Sequence, residues 1–121
     1  MSSRVMLSFP KSSEYIRVAR MTAASMASLM GFHVEDVEDI KVLISEMCIY
    51  FMNHVEKHEM HIKVIFDNKT HLLEMTVEDL NGGSLQSQDH DMTKMIIESL
   101  ADSFYFAQDS HQITVVKRVS E

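Results

Sequence analysis

Three groups of residues in this 121-residue chain have the types and spacing to do chemistry. The first lies in the apolar segment Val37 to Val55, where Glu46 is followed four residues later by Tyr50. At helical spacing both side chains project from one face. A carboxylate in a long apolar helix, with an aromatic one turn on, marks a site rather than a surface. The alternative is a structural carboxylate, hydrogen-bonded to Tyr50 or to nearby backbone. The second group is Asp79-Leu80-Asn81-Gly82-Gly83, where an acid ends a strand pattern and glycines follow. The third is His54 and His58, at the i, i+4 spacing of helical metal ligands, with His61 close behind. No matching carboxylate or cysteine constellation joins them, so surface histidines at a helix end are the preferred reading. Cys48 falls on the apolar face and reads as an inert core thiol. No Ser-His-Asp or Cys-His pair has a spacing that compels a nucleophilic site.

The elements that position these groups follow from hydrophobic periodicity. Arg4 to Phe9 alternates as a strand, which Pro10 ends. Ser12 or Ser13 offers an N-cap, with Glu14 in the first turn. Ile16, Ala19, Ala23, Met26, Ala27 and Met30 recur at steps of three and four, which is one helical face. Gly31 stops this helix in the left-handed cap position. A second helix starts near His33 to Glu35, with acids Glu35, Asp36, Glu38 and Asp39 at the positive end of its dipole. Its main face is Val37, Ile40, Ile44, Met47, Cys48, Phe51 and Val55. Its second face, Val42, Glu46, Ile49, Tyr50 and Asn53, is mixed, which suits a floor between a sheet and a pocket. The period then switches to two. His61 to Phe66 and Leu72 to Val77 read as strands joined by the turn Asp67-Asn68-Lys69-Thr70. Ser84 to Asp89 is a polar loop. Met92, Met95, Ile96, Ser99 and Leu100 form a third helix capped by Asp89 or Asp91. Strands near Ser103 to Ala107 and Gln112 to Val119 close the chain, joined by Gln108-Asp109-Ser110-His111. The order β-α-α-β-β-α-β-β predicts an α/β two-layer sandwich, with helices on one face of a mixed, mainly antiparallel sheet. One domain over residues 1–121 is expected.

Composition narrows the function classes. A 45% hydrophobic and 24% charged chain is ordinary for a globular protein. The net charge of -7 argues against nucleic acid as the main partner. No apolar run approaches the ~18 residues of a membrane span. A lone cysteine and an N-terminus without a signal-like stretch predict a cytoplasmic location. Eleven methionines predict a pliable core rather than a contact surface.

Several stretches together resemble the GHKL (Bergerat-fold) ATPases, specifically the anti-sigma factor serine kinases of the RsbW and SpoIIAB type. Glu14-Tyr15-Ile16-Arg17 opens the first helix as theirs does. Glu38-Asp39-Ile40-Lys41-Val42-Leu43-Ile44-Ser45-Glu46-Met47-Cys48 is similar to the family's second helix. Val77-Glu78-Asp79 followed by Gly83 resembles the Asp-x-Gly-x-Gly adenine box. Ile96-Ile97-Glu98-Ser99-Leu100-Ala101-Asp102 resembles the helix after the phosphate-binding glycines, and Thr114-Val115-Val116-Lys117 the last strand. The resemblance spans nearly the whole chain.

The resemblance implies that Glu46 is the general-base position, that Asp79 accepts a hydrogen bond from an exocyclic amine, and that Asn81 and Gly83 stand for the two box glycines. It also implies that Arg20, with Arg17 beside it, touches a sigma factor or an anti-anti-sigma antagonist, and that the protein forms a homodimer. The family's magnesium-binding asparagine is here Tyr50, and a phenol is a poor Mg²⁺ ligand. Asn53 lies about 300° of helix turn away and is no obvious substitute. The phosphate-binding end is Asp91-Met92-Thr93-Lys94 with Asp89 before it, and carboxylates at a helix N-terminus repel a triphosphate. The lid between Gly83 and Asp91 is short. The expectation is a regulatory protein acting by protein–protein contact, with impaired or lost ATP binding and no cofactor. ATP and Mg²⁺ enter only if the kinase activity of the family is retained. The alternatives are that active serine/threonine kinase, or a binding module that uses the vacated pocket for another small ligand.

Overall fold

The computed structural model describes residues 3–52, 61–79, 91–107 and 111–120. In chain order it contains β1 (Ser3–Pro10), a 3-10 turn (Ser13–Tyr15), α1 (Ile16–Met30), α2 (Val34–Met52), β2 (His61–Lys69), β3 (Leu72–Asp79), α3 (Asp91–Leu100), β4 (Ser103–Ala107) and β5 (Gln112–Arg118). The strands form one sheet in the order β1-β2-β3-β5-β4. Every described pairing is antiparallel, where the sequence predicts a mixed, mainly antiparallel sheet.

The helices cover one side of this sheet. Phe9, Ile62, Val64, Phe66, Leu73, Met75, Val77, Ile113 and Val115 alternate along their strands and are buried, as expected for a half-covered antiparallel sheet. Against them pack Ala19, Ala23, Met26 and Ala27 of α1 and Ile40, Leu43, Ile44, Met47, Cys48 and Phe51 of α2. Small residues on α1 let it approach α2 closely. Gly31 terminates α1 at φ 87, with its N–H donating to the Ser28 carbonyl and that of Phe32 to Ala27. This is the left-handed cap that the sequence predicts.

Four expectations shift. The β2–β3 turn is Thr70-His71, not residues 67–70, because pairing continues to Lys69↔Leu72. Asp67 stays in the strand opposite Arg4, whose Nε donates to its carboxylate at 2.7 Å. The buried side of α3 is centred on Ile97, with Thr93, Ile96 and Leu100 half-buried. Met92 and Met95, expected on that face, are 74% and 65% exposed. The methionine reading divides accordingly: Met26, Met47 and Met75 are buried, whereas Met6, Met21, Met92 and Met95 are exposed. Finally, Ser12 holds the N-cap position in extended conformation, but its hydroxyl lies against the Glu14 carboxylate at 3.4 Å instead of capping a backbone N–H.

The strand register aligns Phe9, Ile62 and Asp79 across β1, β2 and β3. An aspartate therefore ends an apolar row on the helix-covered side of the sheet. Direct cross-strand partners share a face, so Phe104 and Phe106 of β4 lie on this side too, opposite Val115 and Ile113.

Candidate functional site

Helix α2 carries Glu46 and Tyr50 one turn apart, as predicted, but their environments differ. Glu46 is half-buried. Tyr50 is 4% exposed. Its ring stacks on Phe51, with centroids 5.1 Å apart, and meets Phe106 of β4 at 5.8 Å and 46°. Phe104 extends the cluster by an edge contact to Phe106. Offset and tilted arrangements of this kind suit aromatic quadrupoles and add to ordinary burial. Burial raises the Tyr50 phenol above its usual range, so it stays protonated at neutral pH.

Asp79 sits at the end of β3, 3% exposed. Its carboxylate accepts a hydrogen bond from Lys11 Nζ at 2.7 Å, and both side chains are almost wholly enclosed, at 3% and 1% exposure. Lys11 comes from the short link between β1 and the 3-10 turn, flanked by Phe9 and Tyr15, whose rings stack on each other with centroids 5.7 Å apart. The Asp79 N–H donates to the carbonyl of His111, which has a left-handed φ of 53. The Nδ1 atom of that histidine is buried without a hydrogen-bond partner. Beside it, Gln112 donates to Glu78 at 3.0 Å.

Arg17 and Arg20 are exposed on α1 and line a groove of about 350 Å³ with Ser13, Glu14 and Ile16. Thr93 is half-buried on α3. Asn53, His54, Val55, His58, Asn81, Gly83 and Asp89 lie outside the described residues, as do the turn residues 108–110 and the side chain of Asp91. His61 is exposed at the start of β2. Among the described residues no group of three His, Cys, Asp or Glu side chains is arranged to hold a metal ion. Cys48 is buried, and desolvation pushes its thiol up to about 12, in keeping with the inert thiol expected.

Two residues escaped the sequence reading: Lys11, which holds Asp79, and Phe106, which covers Tyr50. Alternation in Phe104-Tyr105-Phe106 pointed to the second, since positions 104 and 106 had to share a face. Nothing local pointed to Lys11, because its role depends on the β1–β2–β3 register.

No protein-family model matches the chain. Over 82 residues, 67% of its length, the chain is 35% identical to the serine-protein kinase RsbW of Bacillus thuringiensis (strain Al Hakam). The same figures hold for the RsbW proteins of Bacillus cereus (strain AH820) and Bacillus anthracis. In each case the match covers 51% of the relative, so it spans about half the length of these curated relatives. Among solved structures, the RsbU and RsbW domains of Rv1364c from Mycobacterium tuberculosis superpose with a TM-score of 0.73 at 14% identity. That match covers 98% of this chain and 33% of the other. The chain has an RsbW-like GHKL fold. Glu46 and Tyr50 lie on α2, and Asp79 ends β3. The groove with Arg17 and Arg20 is separate, on α1. Among the described residues no helix is long and apolar enough to cross a membrane.

Proposed function

We propose that this chain is a regulatory protein of the anti-sigma-factor type that acts by protein–protein contact, with impaired or lost binding of ATP. The relation to RsbW kinases supports the regulatory class. The observation that carries the loss of ATP binding is the burial of Tyr50 between Phe51 and Phe106. By resemblance this position supplies a magnesium ligand. A neutral phenol packed among rings offers Mg²⁺ none of the compact oxygen donors it needs. The residues present therefore do not fit a metal–nucleotide complex, and no phosphoryl-transfer step is assigned to Glu46. The exposed groove formed by Arg17, Arg20 and Glu14 is the contact surface for a sigma factor or an antagonist, and a homodimer is the expected assembly.

A retained serine kinase activity is the competing reading, and the 35% identity to RsbW kinases favours it. Titration of a fluorescent ADP analogue with and without Mg²⁺ separates the two. The proposal expects no saturable binding below ~100 μM, equivalent to about 5.5 kcal/mol. Magnesium-dependent binding tighter than that, weakened by Asp79→Ala, refutes it.

A further inference from the structure

We infer that the exposed apolar stripe of α3 is a self-docking surface, which a second copy of this chain covers with the same stripe in antiparallel orientation. This rests on the homodimer expected above and assigns that dimer its interface. Helix α3 buries Ile97 toward the core, with Thr93 half-buried beside it. The opposite side of an amphipathic helix should then be polar. Instead Met92 and Met95 are 74% and 65% exposed, and with Ile96, Ser99 and Leu100 they line an open groove of about 350 Å³. Positions 92, 95, 96 and 99 follow steps of three and four, so they form one continuous ridge along the helix. Single apolar residues on a surface are ordinary, but a contiguous stripe marks a contact. Methionine suits such a contact, because its unbranched thioether repacks against whatever helix faces it.

Charge decides what covers the stripe. Lys94 and Glu98 are both exposed, and one helical turn apart they lie along a single flank of it. Antiparallel helices bring the same flank of each together. With a two-fold axis beside Ile96, positions 94 and 98 are equally far from the axis and on opposite sides of it. Lys94 then faces the partner subunit's Glu98, and Glu98 faces the partner subunit's Lys94. The same axis sets Met92 against the partner subunit's Leu100. A parallel, two-fold pairing would instead set lysine against lysine and glutamate against glutamate. The stripe is therefore self-complementary in one direction only, as an isologous contact requires. The apolar ridge supplies the attraction, and the flanking ion pairs fix the orientation.

Two charge reversals test this by analytical ultracentrifugation. Lys94→Glu makes the flank wholly acidic and Glu98→Lys makes it wholly basic, and both positions are exposed, so the fold tolerates either change. Each variant alone is expected to dimerise at least tenfold more weakly than the wild type, and an equimolar mixture of the two to recover association as a heterodimer. Neither variant carries both charges, so recovery cannot arise within one helix. A mixture that associates no better than either variant alone overturns the inference. The wild type gives an independent readout. Under limiting peroxide, Met92 and Met95 are expected to oxidise severalfold more slowly in the concentrated dimer than after dilution. Met6 on β1 and Met21 on α1, which are also exposed, are expected to keep their rates. A dimer that leaves Met92 and Met95 as reactive as Met6 and Met21 uses another face; it overturns the inference and leaves the homodimer reading standing. A wild type that is monomeric at every concentration removes both.

Discussion

Removing either partner of the Lys11–Asp79 pair should destabilise the protein far more than removing both. At 2.7 Å, and an effective dielectric of about 20, the Coulomb attraction is about 6 kcal/mol. Enclosure of both side chains, at 3% and 1% exposure, costs several kcal/mol of desolvation per ion, so the intact pair nets close to zero. A single substitution keeps one buried ion and loses the 2.7 Å contact between the two. Lys11→Met and Asp79→Leu should therefore each cost about 3–5 kcal/mol. The double variant replaces the pair with apolar groups beside Phe9 and Ile62, and should fall within about 2 kcal/mol of the wild type. The chain has no tryptophan, so urea unfolding followed by far-UV circular dichroism is the suitable assay. The coupling energy from the four-member cycle should exceed about 3 kcal/mol in magnitude. Single variants that each lose less than about 1 kcal/mol, with unchanged denaturant slope, would mean that water reaches the pair. Burial would then not set the energetics of the pair.

Two other perturbations test different parts of the molecule. Cys48 is neutral in the fold, with its thiol pushed from 9.0 up to about 12 by desolvation. Above pH 9 the unfolded thiol ionises and the folded one does not, so its contribution to stability falls as pH rises toward 12, by at most about 1.4 kcal/mol per pH unit. A thiol reagent at pH 8 should accordingly label Cys48 only through unfolding, and labelling as fast as that of a free thiol in native buffer contradicts the burial. Arg20→Glu reverses a charge in the exposed groove of α1. It should change stability by less than about 0.5 kcal/mol and abolish co-purification of a sigma-factor or antagonist partner; a variant that keeps its partner rules out this surface.

Where the sequence was legible, a single element carried the signal. The α1 stripe from Ile16 to Met30 can be read from its steps of three and four, and the structure buries Ala19, Ala23, Met26 and Ala27. The Gly31 cap is equally local. Where two elements had to agree, the reading slipped. Asp67 and Asn68 have turn composition, yet pairing of β2 with β1 holds them in a strand and Arg4 engages Asp67. In α3 both Met95 and Ile97 are plausible inward residues, and only the docking of the helix selects Ile97. The Lys11–Asp79 contact spans 68 residues of chain. It exists because register places Asp79 beside Ile62 and Phe9, and no local pattern in the sequence carries that information.

On the proposed loss of ATP binding, the same geometry keeps a GHKL-type frame packed. A polar floor that a ligand normally covers must otherwise be satisfied from within the chain or left to water. Each of the three polar positions read from the sequence takes one of these routes. Tyr50 is covered by Phe106 from β4, and Asp79 by Lys11 from the β1–α1 link. Glu46 keeps partial exposure. The two covering groups come from opposite edges of the sheet, Phe106 from β4 and Lys11 from the link that follows β1. Returning any one position to the family's residue type therefore leaves the other obstruction in place. On this reading Tyr50→Asn alone does not restore Mg²⁺–nucleotide binding, because Lys11 still holds the Asp79 carboxylate.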